Sequence, residues 1–180
     1  MIQTEHAVRP SRSEPPVADR AHWRPALESG DVMSREEFER RYGLRPDLKR
    51  AELVEGVVYV ASPVRDAHGA GTSSIAAWLG AYVRGRQGLH LRDNVTVRLD
   101  AVTEVQPDVL LRRDETRGGR SRISADGFIE GAPELVAEVA LSSASIDLNA
   151  KMRAYERAGG RENLVWQIYE GMIDWFVLRD

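Results

Sequence analysis

Apolar residues change their spacing several times along this 180-residue chain, and each change predicts an element. Residues 1 to about 30 show no period and are rich in Pro, Ser, Arg and Ala, which reads as a flexible tail before a domain spanning 31–180. Ser34 then opens Ser-Arg-Glu-Glu, where a hydroxyl cap and Glu37 three residues on form a capping box. Phe38 and Tyr42 share a face and Gly43 is a stop, so a short helix is expected from Ser34 to Tyr42. Leu53-Val54 and Val57 to Val60 are β-formers split by Glu55-Gly56, a hairpin signal that ends at Ser62-Pro63. Ile75, Leu79, Tyr82 and Val83 recur at helical spacing, so a long helix is expected from Ala67 to Val83, closed by Gly85 and Gly88.

Val95, Val97 and Leu99 alternate with polar residues, as in a half-buried strand. Val105 to Leu111 reads as a second strand interrupted by Pro107, which implies an edge, a bulge or a strand start. Arg112 to Gly131 holds five arginines and four glycines and reads as a loop. Leu135 to Leu141 is a nearly unbroken apolar run, the pattern of a central strand buried on both faces. Ser145 caps an expected helix to about Ala158, with Leu148, Met152 and Tyr155 on one stripe. Two strands follow, near Leu164 to Tyr169 and Ile173 to Leu178.

Glu138 stands out against this pattern. A carboxylate inside a central apolar strand is costly unless it is paired or binds a metal. Gln106-Pro107-Asp108 places a second acid on a neighbouring strand. Two close carboxylates repel and drive one pKa upward unless a cation intervenes. Hard oxygen ligands select Mg²⁺ or Mn²⁺. Lysine occurs at Lys49 and Lys151 alone, in a chain whose other basic residues are arginines. That scarcity draws attention to Lys151, on the helix after the Glu138 strand. It is placed to orient a metal-bound water or take its proton; the plainer reading is a helix-surface pair with Asp147. Alternation puts Glu52 and Val54 on one strand face, so Glu52 is a candidate further carboxylate, with Glu55 the alternative. His68 begins the long helix and is either a phosphate contact or a surface residue. The arginines Arg112, Arg113, Arg117, Arg120 and Arg122 either hold a nucleic-acid backbone or decorate a solvated loop.

Composition narrows the classes. With 42% hydrophobic and 29% charged residues the chain is a soluble globular type, and it carries no spanning apolar run and no secretory signal. It has no cysteine, which excludes thiolate chemistry and fits a cytoplasmic protein. A net charge of −3 counts against a strongly basic nucleic-acid binder, although an acidic metal pocket lowers that sum.

Several segments together resemble a known family. They are Glu52-Leu-Val-Glu-Gly, Ser62-Pro with His68 following, Val105-Gln-Pro-Asp-Val109, Gly131-Ala-Pro-Glu-Leu-Val-Ala-Glu-Val139, and Asp147-Leu-Asn-Ala-Lys-Met-Arg-Ala-Tyr-Glu-Arg-Ala-Gly159. Their order and spacing are similar to those of the Uma-type restriction endonucleases, a branch of the PD-(D/E)XK nuclease superfamily, from Ser34 to the C-terminus. The resemblance implies an α/β fold with an α+β mixed sheet, built on a restriction-endonuclease-like core of αβββαβ order, with flanking helices and an extra C-terminal strand. It implies Asp108 and Glu138 as the motif acids, Lys151 as the lysine supplied by the following helix, and Glu52 as a further acid. His68 and Gln106 match polar positions near the family's pocket, where they would contact substrate. The superfamily's usual lysine position is occupied here by Ala140. The chain also departs from the pattern at Leu141-Ser-Ser-Ala-Ser-Ile and at Trp166-Gln-Ile-Tyr.

The function expected is therefore that of an Mg²⁺- or Mn²⁺-dependent endonuclease acting on nucleic acid, with DNA as substrate. The metal would sit between Asp108 and Glu138, with the backbone carbonyl of Val139 as a further ligand, and Glu52 would hold a second metal or an outer-shell water. A homodimer is compatible with this, since many restriction-like nucleases pair to cut two strands. The alternative is a catalytically inactive module of the same fold that binds nucleic acid or a protein partner.

Overall fold

The computed structural model describes residues 27–141 and 146–178. Most of the expected tail and the expected cap Ser145 lie outside them. Helix α1 (Arg35–Gly43) starts where Ser34 Oγ accepts a 3.4 Å hydrogen bond from the Glu37 amide, as the capping pattern predicts. Strands β1 (Ala51–Val54) and β2 (Val57–Val60) form the expected hairpin. Its turn places Glu55 at φ 51° and Gly56 at φ 80°, the paired positive angles that a two-residue turn needs to match strand twist. Helix α2 (Asp66–Val83) follows, and then β3 (Leu89–Asp93), a strand the apolar pattern does not announce.

Next come β4 (Val97–Asp100), β5 (Thr103–Val105), β6 (Val109–Arg113) and the two-residue strands β7 (Arg122–Ile123) and β8 (Ile129–Glu130). Strand β9 (Leu135–Ala140) is buried at every position. A π-helical turn, Asp147–Lys151, runs into α3 (Met152–Arg157), and β10 (Glu162–Gln167) and β11 (Met172–Val177) close the chain.

These strands make two mixed sheets, ordered β2-β1-β5-β4-β8-β7 and β11-β10-β9-β6-β3. Taken in chain order, α2, β3, β6, β9, α3 and β10 reproduce the expected αβββαβ core, and β11 is the extra strand. The expectation of one strand over Val105 to Leu111 is corrected. Its halves, β5 and β6, belong to different sheets. Pro107 lies between them, has no N–H to continue a ladder, and marks the crossing. The segment Arg112 to Gly131 is likewise more than a loop, since β7 and β8 extend the first sheet.

Alternation along the strands assigns each face. Leu135, Ala137 and Val139 of β9 pack with Ile75 and Leu79 of α2. Gly71 is required there, because a Cβ would stand 2.9 Å from Val139 and 2.7 Å from Ile168. Val136 faces the other way and joins Leu110, Val54, Val97, Val105 and Tyr155 between the sheets. Leu53 and Val58 pack under Phe38 of α1 on the outer face of the first sheet. The layers are thus α1, first sheet, inter-sheet core, second sheet, α2.

The contact of α1 with its sheet holds an unusual acid. Glu104 of β5 is buried, with the Glu39 carboxyl of α1 close by and Arg98 Nε 3.6 Å from its Oε2. Burial and then the Glu39 carboxyl push the Glu104 pKa up to about 8, against the pull of Arg98 and Arg35. A folded-state value above the unfolded one means that the fold binds this proton more tightly. Its stabilising contribution is complete below pH 4.5 and disappears as pH rises through about 8. Urea unfolding across pH 5–9 is expected to show stability falling in that window. Glu104→Gln, which keeps the neutral shape, is expected to flatten the fall and to be more stable than the parent at pH 9; an unchanged slope contradicts the assignment.

Candidate active site

The two sheets bring four acids and two cations together in the inter-sheet core. Strands β6 and β9 pair antiparallel, with Val109 opposite Ala137 and Leu110 opposite Val136. Carrying that register one step further sets Asp108 across from Glu138, on the face that also carries Leu110 and Val136. Glu52 shares the inner face of β1 with Val54 by the same two-residue period. The π turn at 147–151 delivers Lys151, whose side chain lies buried with Tyr155 one turn later in the same inter-sheet layer. Such turns are a local widening of the helix and are often found at functional sites.

The distances are short. Lys151 Nζ lies 2.6 Å from Glu138 Oε1, 3.3 Å from Glu52 Oε1 and 3.4 Å from Asp147 Oδ1. The Asp108 amide donates to Glu138 Oε2 at 3.4 Å, and the Val139 amide donates to Asp108 Oδ2 at 2.8 Å. His68 Nε2 stands 3.2 Å from the same Oδ2. Arg50 Nη1 donates to Asp108 Oδ1 at 2.9 Å, and its Nη2 donates to Glu52 Oε1 at 3.3 Å and to the Gln106 carbonyl. Lys151 is 1% exposed, and Asp108 and Glu138 are each 2% exposed, so solvent screens none of these charges well.

The groups titrate according to their neighbours. Burial works against Glu52, but Lys151, Arg50 and the Gln106 amide outweigh it and hold its carboxyl below the ordinary range. Burial also opposes Asp108, yet the His68 ring, Arg50 and the Val139 amide bring it down to about 2. Glu138 goes the other way. Burial first, then the charges of Asp147, Asp108 and Glu52, raise it well above its usual value despite Lys151. Lys151 is itself raised, because Glu138, Glu52 and Asp147 overcome the burial that would strip its proton.

Of the residues expected from sequence, Asp108, Glu138, Lys151, Glu52 and His68 converge. Gln106 is present through its backbone, whose amide donates to Glu52 Oε1 at 2.7 Å; its side chain turns to Thr96 Oγ1 at 3.3 Å. Glu55, the alternative to Glu52, sits outside, paired with Arg153 at 3.1 Å and Arg157 at 2.8 Å. The Lys151–Asp147 pair exists, but both partners are buried, so it is not a surface pair. The arginines of 112–131 are largely engaged internally: Arg112 with Ser121, Arg117 with Gln87, Arg120 with the Gly159 carbonyl, and Arg122 with Glu130. Sequence reasoning missed Arg50 and read Asp147 only as a helix-surface partner of Lys151. Arg50 was findable, since it stands two residues before Glu52 and therefore on the same strand face.

Carboxylate oxygens of the kind gathered here are the donor type that a hard divalent cation takes. Of the buried polar atoms that lack a hydrogen bond within the described residues, two lie at this site: Glu138 Oε1, which meets Lys151 outside hydrogen-bond alignment, and the Tyr155 hydroxyl. Among the described residues, however, no three acidic or histidine side chains form a ready-made cation cage, because Arg50 and Lys151 stand between the acids.

Comparison with known proteins agrees with this architecture. Residues 35–180 match the family model Uma2, described as "Putative restriction endonuclease". No curated protein matches the chain. Among solved structures, the chain is similar to the crystal structure of a putative nuclease belonging to DUF820 from Anabaena variabilis. The TM-score is 0.60 at 12% identity, over 72% of this chain and 73% of that one, a likeness of fold. Within the described residues no helix is long and apolar enough to cross a membrane.

Lys151 is the counter-charge shared by Glu138, Glu52 and Asp147, and removing it takes the nearest cation from Glu138 inside the core. Lys151→Leu is expected to cost about 3–5 kcal/mol in urea unfolding at pH 7. A loss under about 1 kcal/mol would show that the acids find other partners.

Proposed function

Because the chain belongs to the Uma2 family of restriction-endonuclease-like proteins, we propose that it is a metal-dependent endonuclease that hydrolyses phosphodiester bonds in DNA. The observation that carries this reading is the buried meeting of Asp108, Glu138, Glu52 and Lys151, drawn from both sheets and the helix between β9 and β10. Asp108 and Glu138 are the residues to hold Mg²⁺ or Mn²⁺, with the Val139 carbonyl and Glu52 as further donors. A bound ion of this kind lowers the pKa of a coordinated water and offsets charge on the phosphoryl group.

The chain's own groups then divide the remaining work. Lys151, set among Glu138, Glu52 and Asp147, is the residue to orient the attacking water and to offset charge on a phosphate oxygen. The Val139 amide and Arg50 fix Asp108, and the Gln106 amide fixes Glu52. His68, part-exposed at the start of α2 and beside Asp108, is placed to meet the backbone of an incoming strand. Hydrolysis forms a bond from water oxygen to phosphorus and breaks the phosphorus–oxygen bond to the sugar; the attacking water gives its proton to solvent, and the leaving sugar oxygen takes one up from solvent to become a hydroxyl.

One observation favours a second reading, a non-catalytic module of this fold. Arg50 and Lys151 already compensate part of the acids' charge without any metal. The two readings part on cation binding and cleavage. Plasmid nicking in Mn²⁺ is expected for the parent chain. It is expected to fall by at least about 100-fold in Asp108→Asn and in Lys151→Ala, with folding checked by circular dichroism. Cleavage retained by both folded variants defeats the endonuclease assignment. Absence of both Mn²⁺ heat and nicking in the parent favours the module.

A further inference from the structure

We propose that Arg50 is a displaceable counter-ion: it bridges Asp108 and Glu52 while no divalent cation is bound, and swings out when one takes their oxygens. The proposal rests on the metal-dependent reading above. Its basis is where the guanidinium sits. Arg50 contacts three oxygens from two segments, Asp108 Oδ1, Glu52 Oε1 and the Gln106 carbonyl. Two of these belong to acids proposed as metal donors, so the guanidinium and a divalent cation compete for the same atoms.

The two cations of the site differ in their freedom to leave. The Lys151 side chain is 2% exposed and enclosed by Glu138, Glu52 and Asp147, whereas the Arg50 side chain is 20% exposed at the entrance to β1. Arginine does not lose its proton under these conditions, so it cannot yield by neutralising. It can yield only by moving, and several rotatable side-chain bonds connect its charge to the backbone. An added double charge beside an unmoved guanidinium would face like-charge repulsion in a poorly screened core. Once displaced, the planar fork stays tethered beside the acids, where it fits a phosphate of the bound strand in the two-pronged manner arginine favours.

The consequence runs opposite to that of a simple brace. If Arg50 only positioned the acids, its loss would loosen them and weaken metal binding. As a competitor, its loss strengthens binding. Titration calorimetry with Mn²⁺ on the parent chain and on Arg50→Gln separates these outcomes. The expected result is at least about tenfold tighter Mn²⁺ binding by Arg50→Gln, the scale of one unit of pKd. Without metal its Tm is expected to be lower than the parent's, with a larger rise on adding Mn²⁺. Arg50→Lys keeps a positive charge that cannot bridge both acids, and is expected to fall between the two; it carries the test should Arg50→Gln not fold. Equal or weaker Mn²⁺ binding by the folded variants, with the parent binding, overturns the displacement while leaving the metal site intact. No Mn²⁺ binding by parent or variants removes the metal reading itself, and this proposal with it.

Discussion

The ammonium of Lys151, sealed between two sheets, is the constraint on which the interior depends. Three carboxylates lie within 3.4 Å of it, at 2.6 Å, 3.3 Å and 3.4 Å. Each of these charges would be expensive alone in so dry a place. Together they are tolerable only if the first sheet, β9 and the 147–151 turn keep their relative positions. Any slip of one residue along β9 would send Glu138 to the α2 face, where Ile75 and Leu79 offer no counter-charge. The electrostatics therefore specify strand register as well as chemistry.

The second structural requirement is the crossing at Pro107. Leaving the first sheet at Val105 and entering the second at Val109 places three residues, Gln106 to Asp108, in the gap between them. The Pro107 and Asp108 carbonyls accept from the Asn94 amide, and other backbone groups of the segment serve the site. The Gln106 amide and carbonyl hold Glu52 and Arg50, and the Asp108 amide reaches Glu138. A continuous strand would have used those groups in pairing. The break thus converts backbone hydrogen-bonding capacity into alignment of the acids.

How far this was legible in sequence depends on whether the signal was local. Glu138 announced itself because a charge in a seven-residue apolar run has few structural explanations. Lys151 was visible through the near-absence of lysine. Helix α1, the β1–β2 hairpin and β9 follow from caps, turn residues and apolar runs that need no tertiary information. The failures share a cause. Strand β3, Leu-His-Leu-Arg-Asp, is half exposed beside a glycine and carries too little apolar contrast to be recognised. Val105 to Leu111 looks like one strand because membership of a sheet is decided by partners remote in sequence. Asp147 looked like an ordinary helix-surface partner, since burial of that helix face is set by the inter-sheet core and not by the helix.

The same network also bears on why the site reads as functional rather than as a stabilising device. Replacing a buried ion cluster by apolar side chains of matching volume is commonly neutral or stabilising. A core shaped by Val54, Val97, Leu110, Val136 and Tyr155 could accommodate more of the same. Instead it surrounds four acids with two cations, and leaves one carboxylate oxygen and one phenol without aligned partners. Structural specificity would be served by a fully satisfied cluster. A cluster with more acids than cations and with incomplete hydrogen bonding has capacity left for something else, and carboxylate oxygens beside a partly exposed guanidinium are of the chemical type that takes a cation and then a phosphate. On the proposed reading the interior is a site held in waiting, its charges partly compensated by the chain until a ligand of matching charge replaces part of that compensation.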